Sequence, residues 1–452
     1  MKVCVIGTGY VGLTTGACLA FIGHDVTCVD LDGAKVELLR MGRSPIYEPH
    51  LEELLALAAS RLTFTTDYAQ GVSGAEVVFV AVQTPSQPDG SPDLRYVQAA
   101  AEGIGRVIDG FTVVVNKSTV PIGSGNWVEA ILRESFQQHH GRRPDGDFAV
   151  ASNPEFLREG SAIYDSLYPD RVVVGSDNPR SLETLNRLYR PVLDQSFTPP
   201  TFLNRPEGVG AVPLISTDLA SAELIKYAAN AFLALKISYI NEIGQLANKV
   251  GADIIQVARG TGLDSRIGPR FLEPGVGWGG SCFGKDTAAL VATAADYNLP
   301  MPIVEAARQV NRRQRDLVVE NLLAELRILK GRRIGLLGLA FKPNTDDLRD
   351  APTLDIARRL IEHGARVRLH DPVAMHRCRR EQPDLAPFLC DTFEEVFSDS
   401  DTVVLLTAWS QYLELDWSKY AGLMGTPIVL DGRHVLDPNR MAAAGYRYLS
   451  LA

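Results

Sequence analysis

Lys2-Val3-Cys4-Val5-Ile6-Gly7-Thr8-Gly9-Tyr10-Val11-Gly12, with Asp30 eighteen residues further on, is the stretch whose reading decides the fold. An apolar, β-branched run leads directly into three spaced glycines, and residues 12–22 continue with apolar side chains at helical spacing. Strand, glycine turn and helix in that order form the context in which a GxGxxG run carries meaning. Gly7 permits the tight turn, Gly9 lets backbone approach a pyrophosphate, and Gly12 lets the helix pack against the strand. Tyr10 and Val11 open the helix, whose N-terminus offers N–H groups and partial positive charge to phosphates. Asp30 closes the next strand. A carboxylate there accepts from a ribose 2′-OH and repels a 2′-phosphate, so NAD is expected over NADP. A glycine turn that binds nothing is the competing reading, and motif, context and acid together weigh against it.

Outward from this stretch, β-branched runs at 2–7, 25–30, 76–82, 112–117, 148–152 and 171–175 alternate with helical patterns. Such alternation implies βαβ units and a parallel sheet covered on both faces. A Pro- and Gly-containing stretch, 197–213, breaks the rhythm, and residues 217–250 then read as one long helix with Gly251 as its stop. About 33 residues at 1.5 Å each span roughly 50 Å, and a helix so long and apolar is expected to be buried between domains or subunits. From Arg332 the strand–helix rhythm restarts, with strands at 333–338, 366–371, 402–407 and 427–431. The expected fold is therefore α/β: two Rossmann-like doubly wound domains (1–205 and 326–452) joined by the long central helix and a helical middle domain (206–325). Asp371 closes a strand of the second domain as Asp30 does in the first. Gly335-Leu336-Leu337-Gly338 lacks the full fingerprint, so that half either binds a different nucleotide or only packs.

Composition bounds the function. The 452 residues are 46% hydrophobic and 22% charged, with net charge −9, which fits a folded globular chain and argues against broad nucleic-acid or anionic-membrane binding. The longest apolar run, 228–240, is interrupted by Asn230 and Lys236, so no membrane span is expected. Six scattered cysteines with no CxxC pair point to a reducing compartment; a cytoplasmic protein without a signal peptide or metal site is expected.

Three clusters carry chemistry. Gly277-Trp278-Gly279-Gly280-Ser281-Cys282-Phe283-Gly284-Lys285-Asp286 brings backbone close to something flat or charged and then presents one thiol beside a Lys and an Asp. A neighbouring cation or N–H donors favour the thiolate, hence a nucleophile; position alone leaves a structural cysteine equally open. Lys226 and Asn230, four apart on the long helix, share a face, where the Lys is either an oxyanion donor or an ordinary snorkelling side chain. Asn153-Pro154-Glu155-Phe156-Leu157-Arg158-Glu159-Gly160 follows a strand and holds two carboxylates, one of them a candidate base or both simply solvated.

Taken with Val82-Gln83-Thr84-Pro85, Lys117-Ser118-Thr119-Val120-Pro121, Gly338-x-Ala340-Phe341-Lys342 and Asp347-x-Arg349, the sequence resembles the UDP-glucose/GDP-mannose dehydrogenase family over nearly its whole length. The resemblance implies oxidation of a sugar C6 alcohol to a carboxylate with two NAD per turnover, and a homodimer or higher homo-oligomer whose core is the central helix. It makes Cys282 the nucleophile of a thiohemiacetal and then a thioester. Lys226 and Asn230 become oxyanion donors, Asp286 and Thr119 organise a water, and Glu155 is the base for hydrolysis. It assigns Lys35, Thr84, Pro85, Ser118, Thr119, Glu159, Lys285 and Arg349 to NAD, beside the glycine loop and Asp30. For the sugar nucleotide it points to Glu155, Phe156, Leu157, Arg158, Lys226, Asn230 and Arg266. It adds the run Phe271, Leu272, Glu273, Pro274, Gly275 to Gly279, and Lys342 and Arg433 at the UDP end. Gly284 stands where the family commonly has Pro. The run 262–268 resembles the UDP-glucose branch, with GDP-mannose as the rival substrate. A two-electron hydroxyacid-type dehydrogenase has no use for the thiol or the second nucleotide domain, and a catalytically silent sensor has no use for Cys282, Lys226, Asn230 and Asp286 together.

Overall fold

The computed structural model describes residues 1–85, 87 and 90–451. The chain divides into two compact units, 1–228 with 288–297 and 229–287 with 298–452.

The first unit is built on β1 (Lys2–Ile6), β2 (Asp25–Val29), β3 (Leu62–Thr65), β4 (Val77–Val80), β5 (Thr112–Asn116), β6 (Phe148–Ser152), β7 (Val172–Gly175) and β8 (Leu214–Thr217). They form one sheet in the order β3-β2-β1-β4-β5-β6-β7-β8. Side chains alternate between two buried faces: Val3 and Val5 pack with Leu13 and Ala17, whereas Cys4 and Ile6 pack with Val78, Ile104 and Val114. Helices cover both faces, so strands read as continuous apolar runs. β1, β2, β4, β5 and β6 are parallel as expected, and β3, which the sequence reading did not include, joins them in parallel, but β6 meets β7 antiparallel at Ser152 and Gly175. The intervening segment carries a helix of only six residues, Ala162–Leu167, and turns the chain back where a parallel step needs a full crossover. β8 runs parallel to β7, so this sheet extends past the break read at 197–213.

The central helix, Leu219–Val250, is 32 residues long and ends at Gly251 with φ +73°, the left-handed stop that glycine supplies without strain. In the second unit, β9 (Arg333–Leu337), β10 (Arg366–His370), β11 (Thr402–Leu405), β12 (Ile428–Asp431) and β13 (Arg447–Ser450) form a parallel sheet in the order β10-β9-β11-β12-β13. Among the described residues no helix is long and apolar enough to cross a membrane.

Candidate active site

The glycine loop closes between β1 and the helix Tyr10–Phe21. Gly7 has φ +98°, and a Cβ there would lie 2.6 Å from the Ala81 carbonyl oxygen; a Cβ on Gly12 would lie 2.0 Å from the oxygen of Gly7. Both glycines are therefore demanded by the protein's own packing. Gly9 differs: a Cβ there meets no atom within 4 Å, which leaves the open approach that a pyrophosphate needs at a helix N-terminus. Asp30 does more than close β2. Its Oδ2 accepts from the Thr8 N–H (2.8 Å) and hydroxyl (2.6 Å), and its Oδ1 accepts from the Asp32 N–H (3.0 Å). Burial pushes this carboxyl up, but those bonds and the Lys35 charge hold it below the usual range, so it stays anionic. These residues fit NAD. In the second unit, Asp371 answers to Asp30 but is saturated. It accepts from the N–H groups of Leu339, Ala340, Val373 and Ala374 and from Trp409 Nε1, so it braces its loop.

The 153–160 loop leaves β6 and carries a buried ion pair. Lys226 Nζ donates to Glu155 Oε1 (3.0 Å) and to the Glu155 carbonyl (2.6 Å), with both side chains almost fully buried. Burial pushes the Glu155 carboxyl up; the Lys226 charge and hydrogen bond, the Leu157 N–H and Lys117 outweigh it and hold it below the ordinary value. In the sequence Lys117 stands out only as the first residue of Lys117-Ser118-Thr119-Val120-Pro121. It is buried, donates to Asn153 Oδ1 at 3.0 Å, and is drawn down to about 8, chiefly by burial. Glu223, one turn before Lys226, is also buried. It accepts from the N–H groups of Gly123 (2.6 Å) and Gly125 (3.0 Å), tying down the end of the segment that holds Ser118 and Thr119. Ser118 donates to the Val82 carbonyl at 2.7 Å. Thr84 is buried and Pro85 exposed.

In the second unit Cys282 is half-buried and immediately precedes the helix Phe283–Asp296, whose first bond runs from the Asp286 N–H to the Cys282 carbonyl. A thiol at the positive end of a 14-residue helix is where a thiolate is favoured. Its Sγ lies 3.6 Å from Ser281 Oγ. Asp286 is fully buried between Lys285 Nζ (2.5 Å) and Asn230 Nδ2 (2.6 Å), so the carboxylate fixes both donors. The glycines of this loop approach the protein itself. A Cβ would lie 2.8 Å from the Gly432 oxygen at Gly275, 2.3 Å from the Asp350 oxygen at Gly279 and 2.8 Å from the Phe341 ring at Gly280.

Sequence profiles of the UDP-glucose/GDP-mannose dehydrogenase family match three segments: its NAD binding domain at 1–193, its central domain at 220–313 and its UDP binding domain at 335–438. A UDP-glucose 6-dehydrogenase of Bacillus subtilis (strain 168) is 44% identical over 100% of this chain and 97% of its own. One of Rhizobium meliloti (strain 1021) is 45% identical over 100% of this chain and 99% of its own. The solved UDP-glucose dehydrogenase of Pyrobaculum islandicum superposes with a TM-score of 0.87 at 39% identity, covering 100% of this chain and 97% of that one. The chain belongs to the UDP-glucose/GDP-mannose dehydrogenase family.

In this family member the arginines read as ligand contacts fall into two groups. Arg158, Arg266 and Arg349 each form a two-pronged pair with a carboxylate a few residues away, Asp165, Asp264 and Asp347. Arg433 instead directs its guanidinium at three backbone carbonyls, Leu406 (2.6 Å), Gly277 (3.3 Å) and Phe341 (3.2 Å), and burial draws it down to about 10. Lys342 Nζ lies 5.5 Å from the Phe341 ring centroid. Phe156 is covered by Arg171, 3.7 Å from its centroid. Leu272, Pro274 and Gly275 are buried, while Glu273 is exposed and Phe271 sits at φ +66° with its ring 6.2 Å from that of Phe283. Tyr10 donates to Glu48, a buried carboxylate that also accepts from the Gly160 and Ala162 N–H groups. No motif flagged Glu48, which stands three residues before the helix Leu51–Ala58.

Proposed function

We propose that this protein oxidises C6 of UDP-glucose to the carboxylate of UDP-glucuronate through a thioester on Cys282. The observation that carries the reading is a thiol at a helix N-terminus in a chain 44% and 45% identical over its full length to two UDP-glucose 6-dehydrogenases. NAD, when bound, accepts one hydride in each of the two oxidations. In the first, the C6 hydroxyl gives up a proton and becomes an aldehyde. The Cys282 thiolate then adds to the carbonyl carbon and the oxygen takes a proton, giving a thiohemiacetal that cannot diffuse away. The second oxidation removes the C6 hydrogen and the hydroxyl proton and leaves a thioester. Water, deprotonated by Glu155, adds to the thioester carbon and expels the Cys282 thiolate. The balance is one sugar nucleotide, two NAD and one water to one carboxylate, two NADH and three protons. Lys226, cationic and buried, is the donor we assign to the oxyanions, and Asn230, held by Asp286, is the second.

The binding roles carried by the family resemblance are proposed with it: NAD at the glycine loop and Asp30, and UDP at Lys342 and Arg433. Phe232, Tyr239 and Leu246 recur every seven residues on one face of the central helix and are 61%, 50% and 60% exposed, which supports a homodimer through that face. Tyr239→Glu is expected to lower the mass in light scattering to the monomer's; an unchanged mass removes this face from the interface. The activity is tested with UDP-glucose, UDP-galactose, GDP-mannose and UDP-N-acetylmannosamine, scored by NADH per sugar. Two NADH from UDP-glucose is the expected result, and one NADH with free aldehyde would overturn the thioester.

A further inference from the structure

We infer that Asn311, on the helix Pro302–Leu326, is the positioning residue that fixes the loop carrying Cys282 and thereby sets how the thiol is presented. The inference rests on the thiol reading above. Asn311 is buried, and its amide meets both polar groups of one residue: Oδ1 accepts from the Trp278 N–H at 2.7 Å, and Nδ2 donates to the Trp278 carbonyl at 2.9 Å. The side chain thus pairs with Trp278 as a neighbouring strand would. Gly277 makes room for it. That residue sits at φ +90°, and a Cβ there would lie 2.4 Å from Asn311 Oδ1.

Gln314, three residues further on the same buried face, donates to the Gly275 carbonyl at 2.8 Å, and Asn241 accepts from the Gly275 N–H at 2.8 Å. Trp278 Nε1 donates to Ser238 at 3.1 Å. Beyond Trp278 the chain passes through Gly279 and Gly280, whose N–H donates to the Arg349 carbonyl at 2.9 Å, and reaches Cys282.

Glycine has the most backbone freedom to lose, so a loop this rich in it does not hold a side chain in place by its own stiffness. Apolar packing resists displacement but tolerates slippage, whereas buried directional bonds specify one register. The two Asn311 bonds grip the loop at Trp278, four residues before the thiol. Misplacing a reacting group by about 1 Å costs about 100-fold in rate.

The test uses the full-length enzyme with Asn311→Leu, which keeps the volume and removes both bonds. Readouts are kcat, KM for NAD, and the rate of Cys282 alkylation by iodoacetamide across a pH series, followed on the Cys282 peptide by mass spectrometry. We expect kcat to fall about 100-fold, KM for NAD to stay within about twofold, and the alkylation profile to shift. A lower melting temperature with kcat and alkylation unchanged would make Asn311 a mere packing residue and overturn the inference. Gln314→Met removes one bond from the same loop and decides the matter if the first variant does not fold. It is expected to cost about tenfold in kcat with altered alkylation, and parent-like values in both would again overturn the inference. Cys282→Ser, run in parallel, separates the two claims: if it keeps full turnover, the thiol reading fails. The Asn311→Leu alkylation profile still reports whether that residue positions the loop.

Discussion

Replacing Lys226 with methionine tests the electrostatic centre of the first unit. At 3.0 Å from Glu155 Oε1, the ammonium contributes about 5 kcal/mol of attraction at an effective dielectric near 20. Most of that offsets the cost of burying both charges, so what Lys226→Met exposes is an isolated buried carboxylate, a loss of about 3–5 kcal/mol. For a unit of this size the melting temperature drops by roughly 10 °C. The pH dependence carries the sharper signature. In the parent, Glu155 lies below its ordinary value because Lys226 and the other partners outweigh burial, so its stabilisation is present above that value and fades as pH falls through the folded one. Without Lys226 the effect of burial, the largest single influence, is opposed only by Leu157 and Lys117, and the folded carboxyl is expected to rise above its ordinary value. The variant then loses stability as pH rises where the parent gains it. The gap between them should widen from about pH 4 to about pH 8 in thermal or denaturant unfolding. Loss of an oxyanion donor should also lower kcat about 10²–10³-fold, read by NADH absorbance. A gap that stays flat across that range, or below about 1 kcal/mol throughout, refutes the pairing.

Cys282→Ser should cut the two-NADH turnover at least ~10³-fold, because a serine hydroxyl is a far weaker nucleophile than a thiolate; parent-rate formation of two NADH per sugar would remove the covalent step. Asp30→Ala strips the acceptor from the buried Thr8 N–H and hydroxyl, a loss of about 1–3 kcal/mol, and should raise KM for NAD about tenfold while relaxing the bias against NADP. An unchanged KM for NAD counts against that role. Burial pushes Glu223 up to about 7, so relative to its ionised form it stabilises the fold below the ordinary carboxylate value and loses that stabilisation as pH rises through about 7. Glu223→Gln keeps one acceptor oxygen and sets an NH2 against the other of the Gly123 and Gly125 N–H groups at every pH, but the gap to the parent should narrow by up to about 3 kcal/mol between pH 4 and pH 8; a constant gap would mean the carboxyl does not titrate there.

Both sheets were legible because their central strands are buried on two faces and read as unbroken apolar runs. β3, β8 and β13 were not. Each has four residues and lies at a sheet edge, where half the side chains face solvent and Thr, Ser or Arg interrupts the run. The reversal at β7 was hidden for another reason: Val172-Val173-Val174 reads the same whichever way the strand points. Cys282, Lys226, Asn230, Asp286 and Glu155 stood out through residue type and spacing. Lys117, Glu48, Asn311 and Gln314 did not, since their partners lie 33 to 112 residues away or are backbone groups, and neither shows as a local pattern.

The glycines make the same division in a single residue type. A glycine in a sequence says that something comes too close for a side chain, and in GxGxxG the spacing supplies what that something is. Gly7 and Gly12 meet the protein's own carbonyls while Gly9 faces open space, so one motif contains both kinds, told apart by position. In the cysteine loop no such template exists, and the sequence leaves open what the flat or charged neighbour of its glycines is. At Gly275, Gly277 and Gly279 the near neighbours are oxygens of Gly432, Asn311 and Asp350, and at Gly280 the Phe341 ring. A loop whose glycines all press on protein is a built platform, and its stiffness comes from the surfaces it touches. That is why the residues to mutate around Cys282 lie on the helix Pro302–Leu326 and beside β9 and β12, far from it in sequence: Asn311 and Gln314 on the first, Phe341 and Arg433 on the others.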